Sequence, residues 1–184
     1  MTVKTFYFNP FRECTYILSD EEKRALIIDA GMYDEREQAR FAGYIAREQL
    51  CPIALLITHS HPDHICGLEW LQEQYGLLPQ APERLSGALA SKGWQSPVEV
   101  LSTPGHKEDC VCYYLPEEKI LFTGDTLFQE SVGRTDLEGG DYRQLIRSLQ
   151  SLMRLDDDIT IYPGHGYPST IGHERKHNPF LVKS

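Results

Sequence analysis

The sequence lacks three features that would point to common classes of partner: an excess of basic residues, a long apolar run and a signal peptide. Lysine and arginine number 18 against 27 aspartates and glutamates, which gives a formal net charge of −9. Because phosphate contacts need a basic surface, this balance argues against general nucleic-acid binding. No apolar run approaches the roughly 20 residues of a membrane span, and the first residues lack the apolar core of a leader. We therefore expect neither a nucleic-acid nor a membrane partner.

Cysteine is also sparse and irregularly placed. The five cysteines are an odd number without regular spacing, and a chain of 184 residues can bury a core without a disulfide framework. We therefore expect a reduced, cytoplasmic protein. No repeat, linker or low-complexity segment divides the chain, so we predict a single domain, residues 1–184.

Hydrophobic patterning predicts an α/β fold in which strands form hairpins as well as alternating with helices. Helices are expected to begin at Asp34 and Asp141, where an aspartate is followed three positions later by Glu37 or Gln144. Further helices are expected after residue 64 and at 83–92. Strands are predicted at 3–8, 14–18, 25–28, 53–57, 98–101, 110–115, 119–122 and 159–162.

The segment Thr58-His59-Ser60-His61-Pro62-Asp63-His64 follows the apolar strand 53–57 directly. Three imidazoles and a carboxylate at the end of a buried strand would repel or desolvate one another unless they bind something. Neutral imidazole and carboxylate oxygen are both good ligands of Zn²⁺. The segment therefore predicts a metal site, and a histidine-rich surface loop is the alternative.

Three later strand ends also carry a residue of the metal-ligand type: His106, Asp125 and His165. Ligand sites in open α/β sheets lie at strand ends. Seven ligands exceed one tetrahedral zinc and suit two ions of four to five coordination each. Structural zinc is the competing interpretation, but it favours four ligands, usually with cysteine thiolates. We assign the ligands as follows: His59, His61 and His106 to one ion, Asp63, His64 and His165 to the other, and Asp125 as the bridge.

Two ions that share a water molecule form a hydrolytic centre, because they lower the pKa of that water. We therefore predict a metallohydrolase in which a metal-bridging hydroxide attacks the substrate. Asp125 would bridge the metals and Asp63 could orient the hydroxide. The metals are expected to be Zn, although the same donors accept Fe or Mn. Asp29, at the end of strand 25–28, is either a turn residue or a group that orients the ligands.

The chain resembles the metallo-β-lactamase superfamily. His59-Ser60-His61-Pro62-Asp63-His64 matches the H-x-H-x-D-H signature, and the segments around His106, Asp125 and His165 match the later motifs in order. The resemblance covers nearly the whole chain. It implies a four-layer αβ/βα sandwich with two mixed sheets and the metal site at their shared edge.

Within the superfamily, the chain looks like the short bacterial glyoxalase II-like hydrolases. The features that carry this similarity are the loop 133–141, the tail 169–181, and Asp125 at a position where many β-lactamases have cysteine. The resemblance implies hydrolysis of a small-molecule thioester such as S-lactoylglutathione. The chain ends at Ser184 without the helical domain that longer glyoxalase II enzymes use to contact glutathione, so the substrate contacts are left open.

Lys107, Arg134 and Arg175 are candidates for binding a substrate carboxylate, although a surface charge or structural ion pair is the more common role. His173 and His177 are expected to be capping or surface groups. Three alternatives remain: a mononuclear iron persulfide dioxygenase-like oxidoreductase, a hydrolase of another ester, amide or lactone, and a member that only binds its ligand.

Overall fold

The computed structural model describes residues 1–181, and each half of the chain contains one main mixed sheet. By its contacts the chain divides into two units, Met1–Ser96 and Pro97–Ser184, which we call unit 1 and unit 2. The predicted α/β class with two mixed sheets is confirmed. The assignment of both units to a single domain stays a prediction.

Unit 1 contains a four-stranded sheet of order β1-β2-β3-β4. The predicted hairpins β1–β2 and β2–β3 are antiparallel, and β4 joins β3 in parallel. Every residue of β2 is buried, as expected of a central strand covered on both faces. The strands are β1 (Thr2–Phe8), β2 (Glu13–Ser19), β3 (Arg24–Ile28) and β4 (Cys51–Leu56).

The helices of unit 1 follow the predicted pattern closely. The Asp34 side chain accepts a hydrogen bond from the Glu37 N–H and so caps the first helix, which buries Phe41 and Ile45. A 3₁₀ turn at Pro82–Arg84 leads into the last helix of the unit. The helices are α1 (Glu35–Glu48), α2 (Pro62–Ile65), α3 (Leu68–Tyr75) and α4 (Leu85–Ser91).

Unit 2 contains a five-stranded sheet of order β11-β10-β7-β6-β5 and a separate two-stranded hairpin, β8–β9. Only β10 and β7 pair in parallel. A strand that follows a helix re-enters the sheet in this way, and here the helix is α5 (Tyr142–Leu152), capped by Asp141. The strands are β5 (Glu99–Ser102), β6 (Val111–Leu115), β7 (Ile120–Gly124), β8 (Leu127–Phe128), β9 (Ser131–Val132), β10 (Thr160–Pro163) and β11 (Ser169–Thr170).

Three short elements of unit 2 were not predicted from the sequence: the hairpin β8–β9, strand β11 and helix α6 (Ile171–His177). The two-residue strands and the seven-residue helix are too short to show a periodicity. Their positions depend on tertiary hydrogen bonds. For example, Asn178 Nδ2 donates to the Ser131 carbonyl at 3.0 Å, and the Ile171 N–H donates to the Ile159 carbonyl at 3.0 Å.

Each unit has its own apolar core. In unit 1 the aromatic rings of Phe6, Phe8 and Phe41 pack beneath the sheet together with Ile17 and Leu71. In unit 2, α5 packs Leu145, Leu149 and Leu152 against Leu121 and Ile161 of the sheet.

The described residues contain no disulfide among the five cysteines, two of which, Cys51 and Cys66, are exposed. Within residues 1–181, none of the helices combines the length and apolar character needed to cross a membrane.

Candidate metal centre

In unit 1 the histidine-rich segment begins where β4 ends, and it brings two imidazole nitrogens together. His59 Nε2 and His61 Nδ1 are 3.1 Å apart. Two ligands at the usual Zn–N distance on a tetrahedral ion are separated by about 3.4 Å. The two nitrogens therefore lie near the separation that ligands of one ion adopt.

The carboxylate of Asp29 orients the imidazoles of His64 and His59, the first directly and the second through Thr58. Its Oδ2 lies 2.9 Å from His64 Nδ1 and accepts a hydrogen bond from Thr58 Oγ1 at 2.8 Å. Thr58 Oγ1 is in turn 3.1 Å from His59 Nδ1. Because the Asp29 carboxylate can only accept, His64 Nδ1 carries the proton of that contact. The Thr58 hydroxyl donates its own proton to Asp29, so it accepts one from His59 Nδ1. In both imidazoles Nε2 is therefore the atom left for a metal ion.

Asp29 adopts an unfavourable backbone conformation in this position. Its φ of 61° lies in the left-handed region, which non-glycine residues rarely adopt. Its carboxylate also accepts the Thr58 N–H at 2.7 Å, and its own N–H donates to the Leu56 carbonyl at 2.8 Å. These bonds tie the end of β3 to the end of β4. Of the two roles considered from the sequence, the geometry favours orientation of the ligands.

Asp63 and His64 form a second pair of ligand type in unit 1. Asp63 Oδ2 is 3.8 Å from His64 Nε2. The short helix α2 that carries them is held by Asn9, whose Nδ2 donates to the carbonyls of Asp63 and Gly31 at 2.9 and 3.0 Å. A side chain from the β1–β2 turn thus fixes the segment that follows β4.

Glu13 is a buried acid that no sequence pattern marked as functional. It has no exposed surface, and its Oε2 accepts a hydrogen bond from Thr15 Oγ1 at 2.8 Å. Burial raises the pKa of Glu13 well above its usual value, and the nearby His64 only partly opposes that shift. Ligand-type atoms of Glu13, Asp29 and His64 lie within 4.8 Å of one another. Since Asp29 Oδ2 bonds to His64 Nδ1, we interpret this group as support for the imidazole.

In unit 2 one carboxylate oxygen lies close to the imidazoles of two histidines. Asp125 Oδ2 is 3.4 Å from His106 Nε2 and 3.6 Å from His165 Nε2. Both distances are close to the separation of about 3.4 Å between two ligands of one tetrahedral ion. The three residues come from the ends of three different segments, after β5, after β7 and after β10. The Asp125 oxygen therefore lies at a ligand-to-ligand separation from each imidazole nitrogen, and its role as a bridge stays a prediction.

The imidazole of His106 is oriented by backbone. Its Nδ1 donates to the Arg134 carbonyl at 2.7 Å, which leaves Nε2 to face Asp125. The loop carrying this carbonyl approaches closely because residue 133 is glycine: a Cβ there would lie 1.9 Å from the Asp125 carbonyl oxygen. The loop that follows β9 thus supports His106 through its main chain.

The cationic residues considered for substrate binding are engaged in local contacts. Arg134 forms two 2.7 Å bonds to the Asp136 carboxylate, both side chains being exposed, and this pairing lowers the pKa of Asp136 to about 2. Lys107 Nζ is 3.4 Å from Asp109. Arg175 donates to the carbonyls of Met153 and Leu155 at 2.8 and 2.6 Å. The Arg175 contacts close the end of α5, so its geometry fits a structural role.

The donors suit divalent metal ions of borderline softness. Unit 1 offers imidazoles with fixed tautomers and a carboxylate, and unit 2 offers two imidazoles around one carboxylate. Imidazole nitrogen suits Zn, Cu, Fe and Ni, whereas sites for Mg or Ca consist of oxygen ligands. Sequence reasoning found all seven of these donors, but it missed the supporting roles of Thr58, Glu13 and the Arg134 carbonyl.

The chain belongs to the metallo-β-lactamase superfamily. The sequence model of that superfamily matches residues 10–96 and 95–165, so matches fall in both units. The predicted family is thereby confirmed, and the predicted class of metal-dependent hydrolase is that of the superfamily.

Relatives and solved structures cover nearly the whole chain. It is 33% identical to the hydroxyacylglutathione hydrolase GloC of Haemophilus influenzae over 212 aligned positions, which include 98% of each protein. The crystal structure of BLEG-1, a B3 metallo-β-lactamase, has a TM-score of 0.86 at 32% identity and matches 98% of this chain and 100% of its own. TTHA1623 in a di-iron-bound form has a TM-score of 0.81 at 33% identity and matches 97% of this chain and 100% of its own.

Proposed function

We propose that this protein is a dinuclear metal-dependent thioesterase of the glyoxalase II type. In this proposal His59, His61 and His106 hold one ion, Asp63, His64 and His165 hold the other, and Asp125 bridges them. This is the assignment predicted from the sequence, and the stretches matched by the superfamily model, residues 10–96 and 95–165, contain all seven residues.

The observation that carries the proposal is the position of Asp125 Oδ2, 3.4 Å from His106 Nε2 and 3.6 Å from His165 Nε2. A mononuclear centre that omits His165 would give that imidazole no reason to face the same oxygen. We therefore count His165 among the ligands, whereas the persulfide dioxygenase-like alternative does not need it, and the number of ions bound per chain distinguishes the two.

Two metal ions in such a centre supply a water that is acidic enough to act as a nucleophile near pH 7 and a Lewis acid for the developing oxyanion. The chain's own residues would do the positioning. Asp29, directly and through Thr58, holds the His64 and His59 rings, and Asp63 would orient the hydroxide. None of these steps needs a serine or cysteine nucleophile.

The choice of a thioester rests on the relatives and on leaving-group chemistry. A relative named as a hydroxyacylglutathione hydrolase aligns with 98% of this chain. A thiolate is a good leaving group and a good ligand for zinc-like ions. Zinc is the proposed metal, and iron is the alternative favoured by the name of the di-iron-bound TTHA1623.

The decisive experiment measures metal content and substrate range on the same preparation. Protein would be stripped with a chelator, reloaded separately with Zn, Fe or Mn, and assayed on S-lactoylglutathione, other acyl thioesters and a β-lactam. We expect about two ions per chain and thioester hydrolysis that disappears on stripping and returns on reloading. The same assays would be applied to Asp125→Ala. Its matched control is Asp158→Ala, which removes an exposed carboxylate outside the site.

Protein that binds two ions yet leaves every thioester intact would refute the substrate assignment. One iron per chain, with oxygen consumption on glutathione persulfide, would instead establish the oxidoreductase alternative.

A further inference from the structure

Unit 1 has a sheet edge that carries no further strand. β1 is the end strand of the order β1-β2-β3-β4 and, among the described strands, it pairs only with β2. In an antiparallel pair every second residue directs its N–H and C=O away from the partner strand. β1 is seven residues long and contains neither a proline nor a shift of register. Its outer edge can therefore accept another strand.

A groove of about 260 Å³ lies between this edge and α1. One wall consists of four consecutive residues of β1, 4–7, and the other of Arg40, Tyr44 and Arg47, which lie on one face of α1 because they are four and three positions apart. Small-molecule sites usually enclose about 300–1,000 Å³, so this groove is small for a whole ligand. Peptides that add to a sheet edge place alternate side chains in small pockets of this kind.

The groove is cationic although the chain has a net charge of −9. Lys4 Nζ lies 5.7 Å from the ring centroid of Tyr44, and Arg47 Cζ lies 5.2 Å from the same centroid. The two cations therefore converge on one aromatic ring. Glu48 Oε1 is 3.0 Å from Arg47 Nε, but both side chains are exposed, and an exposed pair of this kind contributes little.

Arg40 bounds the groove at the C-terminal end of β1. Its Nη2 donates to the Tyr7 carbonyl at 2.6 Å, and its guanidinium carbon lies 4.9 Å from the ring centroid of Phe8. Neither Arg40 nor Lys4 has a carboxylate partner among the described ion pairs of unit 1. An anionic occupant would supply the carboxylates that the groove itself lacks.

The charges of the groove decide between two kinds of occupant. Pairing β1 with the β1 strand of a second copy would bring the cations of both copies to one junction, and like charges opposite each other destabilise strand pairing. An extended segment with acidic side chains offers the opposite charge along the same edge. Charge complementarity therefore selects an acidic partner over a second copy of this chain.

We propose that the β1 edge and α1 bind an extended acidic segment of a partner protein, which adds to the sheet as a further strand. The main chain of the segment would pair with β1, and its side chains at alternate positions would point towards α1. Carboxylates at those positions would meet Lys4, Arg40 and Arg47. None of the seven proposed metal ligands lines the groove, so this is a binding function separate from the proposed hydrolase.

The test is fluorescence anisotropy of labelled synthetic peptides with the full-length protein at low salt. The probe is a peptide in which glutamate alternates with valine. The matched peptide has proline in place of every valine, which holds φ near −65° and prevents the strand conformation while the charge stays the same. We expect saturable binding of the first peptide that weakens as salt is added. The second should bind more than about tenfold more weakly, because several main-chain hydrogen bonds are lost.

Protein variants show whether the peptide occupies this groove. Lys4→Gln and Arg47→Gln each remove one exposed charge of the groove, and each should weaken binding of the glutamate–valine peptide about threefold, as expected for an exposed ion pair. The double variant should weaken it about tenfold. Arg84→Gln removes an exposed charge of unit 1 outside the groove, and this control should bind the peptide as the wild type does.

Equal affinities for the two peptides would overturn strand addition and leave a site for anions in general. Equal affinities of the wild type and the double variant would also overturn the proposal, because the peptide would then bind elsewhere. Failure of the peptide to bind would leave Lys4 and Arg40 as charges that protect an exposed edge from aggregation. Thioester hydrolysis is measured separately, so failure of either proposal leaves the other standing.

Discussion

The two units hold their metal-ligand residues in different ways. In unit 1 four donors follow one another in a single segment, and a buried network of side chains orients the imidazoles from behind. In unit 2 the three donors come from separate strand ends, and the imidazoles of His106 and His165 both face one oxygen of the Asp125 carboxylate. A dense local motif needs support because neighbouring rings can turn in many ways. In unit 2 the strand ends place the residues, and the Arg134 carbonyl orients the His106 ring. We therefore expect substitutions in unit 1 to affect the orientation of the imidazole rings. Substitutions in unit 2 should affect whether the metal-ligand residues come together at all.

The largest effect is expected from Asp125→Ala. Because one carboxylate oxygen faces both His106 and His165, its loss should remove both ions together with most of the hydrolytic activity. Metal analysis after dialysis, alongside the thioester assay, measures this. A variant that retains two ions would contradict the shared-ligand arrangement.

Gly105→Ala should be the next most damaging change, through the backbone of unit 2. Gly105 has a φ of +143°, and a Cβ would lie 2.3 Å from the backbone N and Cα of Leu145, so α5 would have to move away from the residue next to His106. A clear fall in Tm is expected. In Gly43→Ala, by contrast, the new Cβ meets nothing within 4 Å, and an alanine within a helix should stabilise unit 1 by about 0.5–1 kcal/mol.

Thermal denaturation of both glycine variants beside the wild type tests this contrast. Equal melting temperatures for Gly105→Ala and the wild type would show that the turn before His106 tolerates a side chain.

Asp29→Asn tests orientation in unit 1 without removing a ligand. The amide keeps the size of the carboxylate but loses its charge and one acceptor, so the His64 and His59 tautomers are no longer fixed. We expect metal affinity to fall by about 10- to 100-fold, as is typical when the group behind a ligand is changed, while the fold persists. Competition with a chromophoric chelator measures the affinity, and an unchanged value would assign Asp29 to the turn alone.

The smallest effect concerns the thiol beside the unit 1 ligands. Cys66 keeps exposed surface, but desolvation of its sulfur by the surrounding residues raises the pKa of the thiol to about 11. Since the thiolate is the reactive form, alkylation of Cys66 by iodoacetamide should be slow at pH 7.5 and should accelerate as the pH rises towards that value. Mass spectrometry can follow Cys66 separately from Cys51, and rapid modification of Cys66 at pH 7.5 would contradict the shift.

Much of the fold could be predicted because the signals are local. Apolar runs marked the eight longer strands, and the aspartate caps at positions 34 and 141 marked the starts of α1 and α5. The elements β8, β9, β11 and α6 escaped prediction because they contain two to seven residues. They are held by contacts such as Glu174 to the Glu130 N–H, and such contacts join residues far apart in sequence.

The sequence by itself determined which seven residues are candidate metal ligands, since histidine and aspartate at the ends of apolar strands indicate a metal site. It also determined the family, through motifs that occur in a fixed order. Only the tertiary structure decided which atoms those donors present. The Asp29 carboxylate selects Nε2 of His59 and His64, and the Arg134 carbonyl selects Nε2 of His106. The same holds for α6, where the buried Glu174 carboxylate accepts a hydrogen bond from the Glu130 N–H. Hydrogen-bond partners depend on chain segments that meet only after folding, and the spacing of residues cannot encode them.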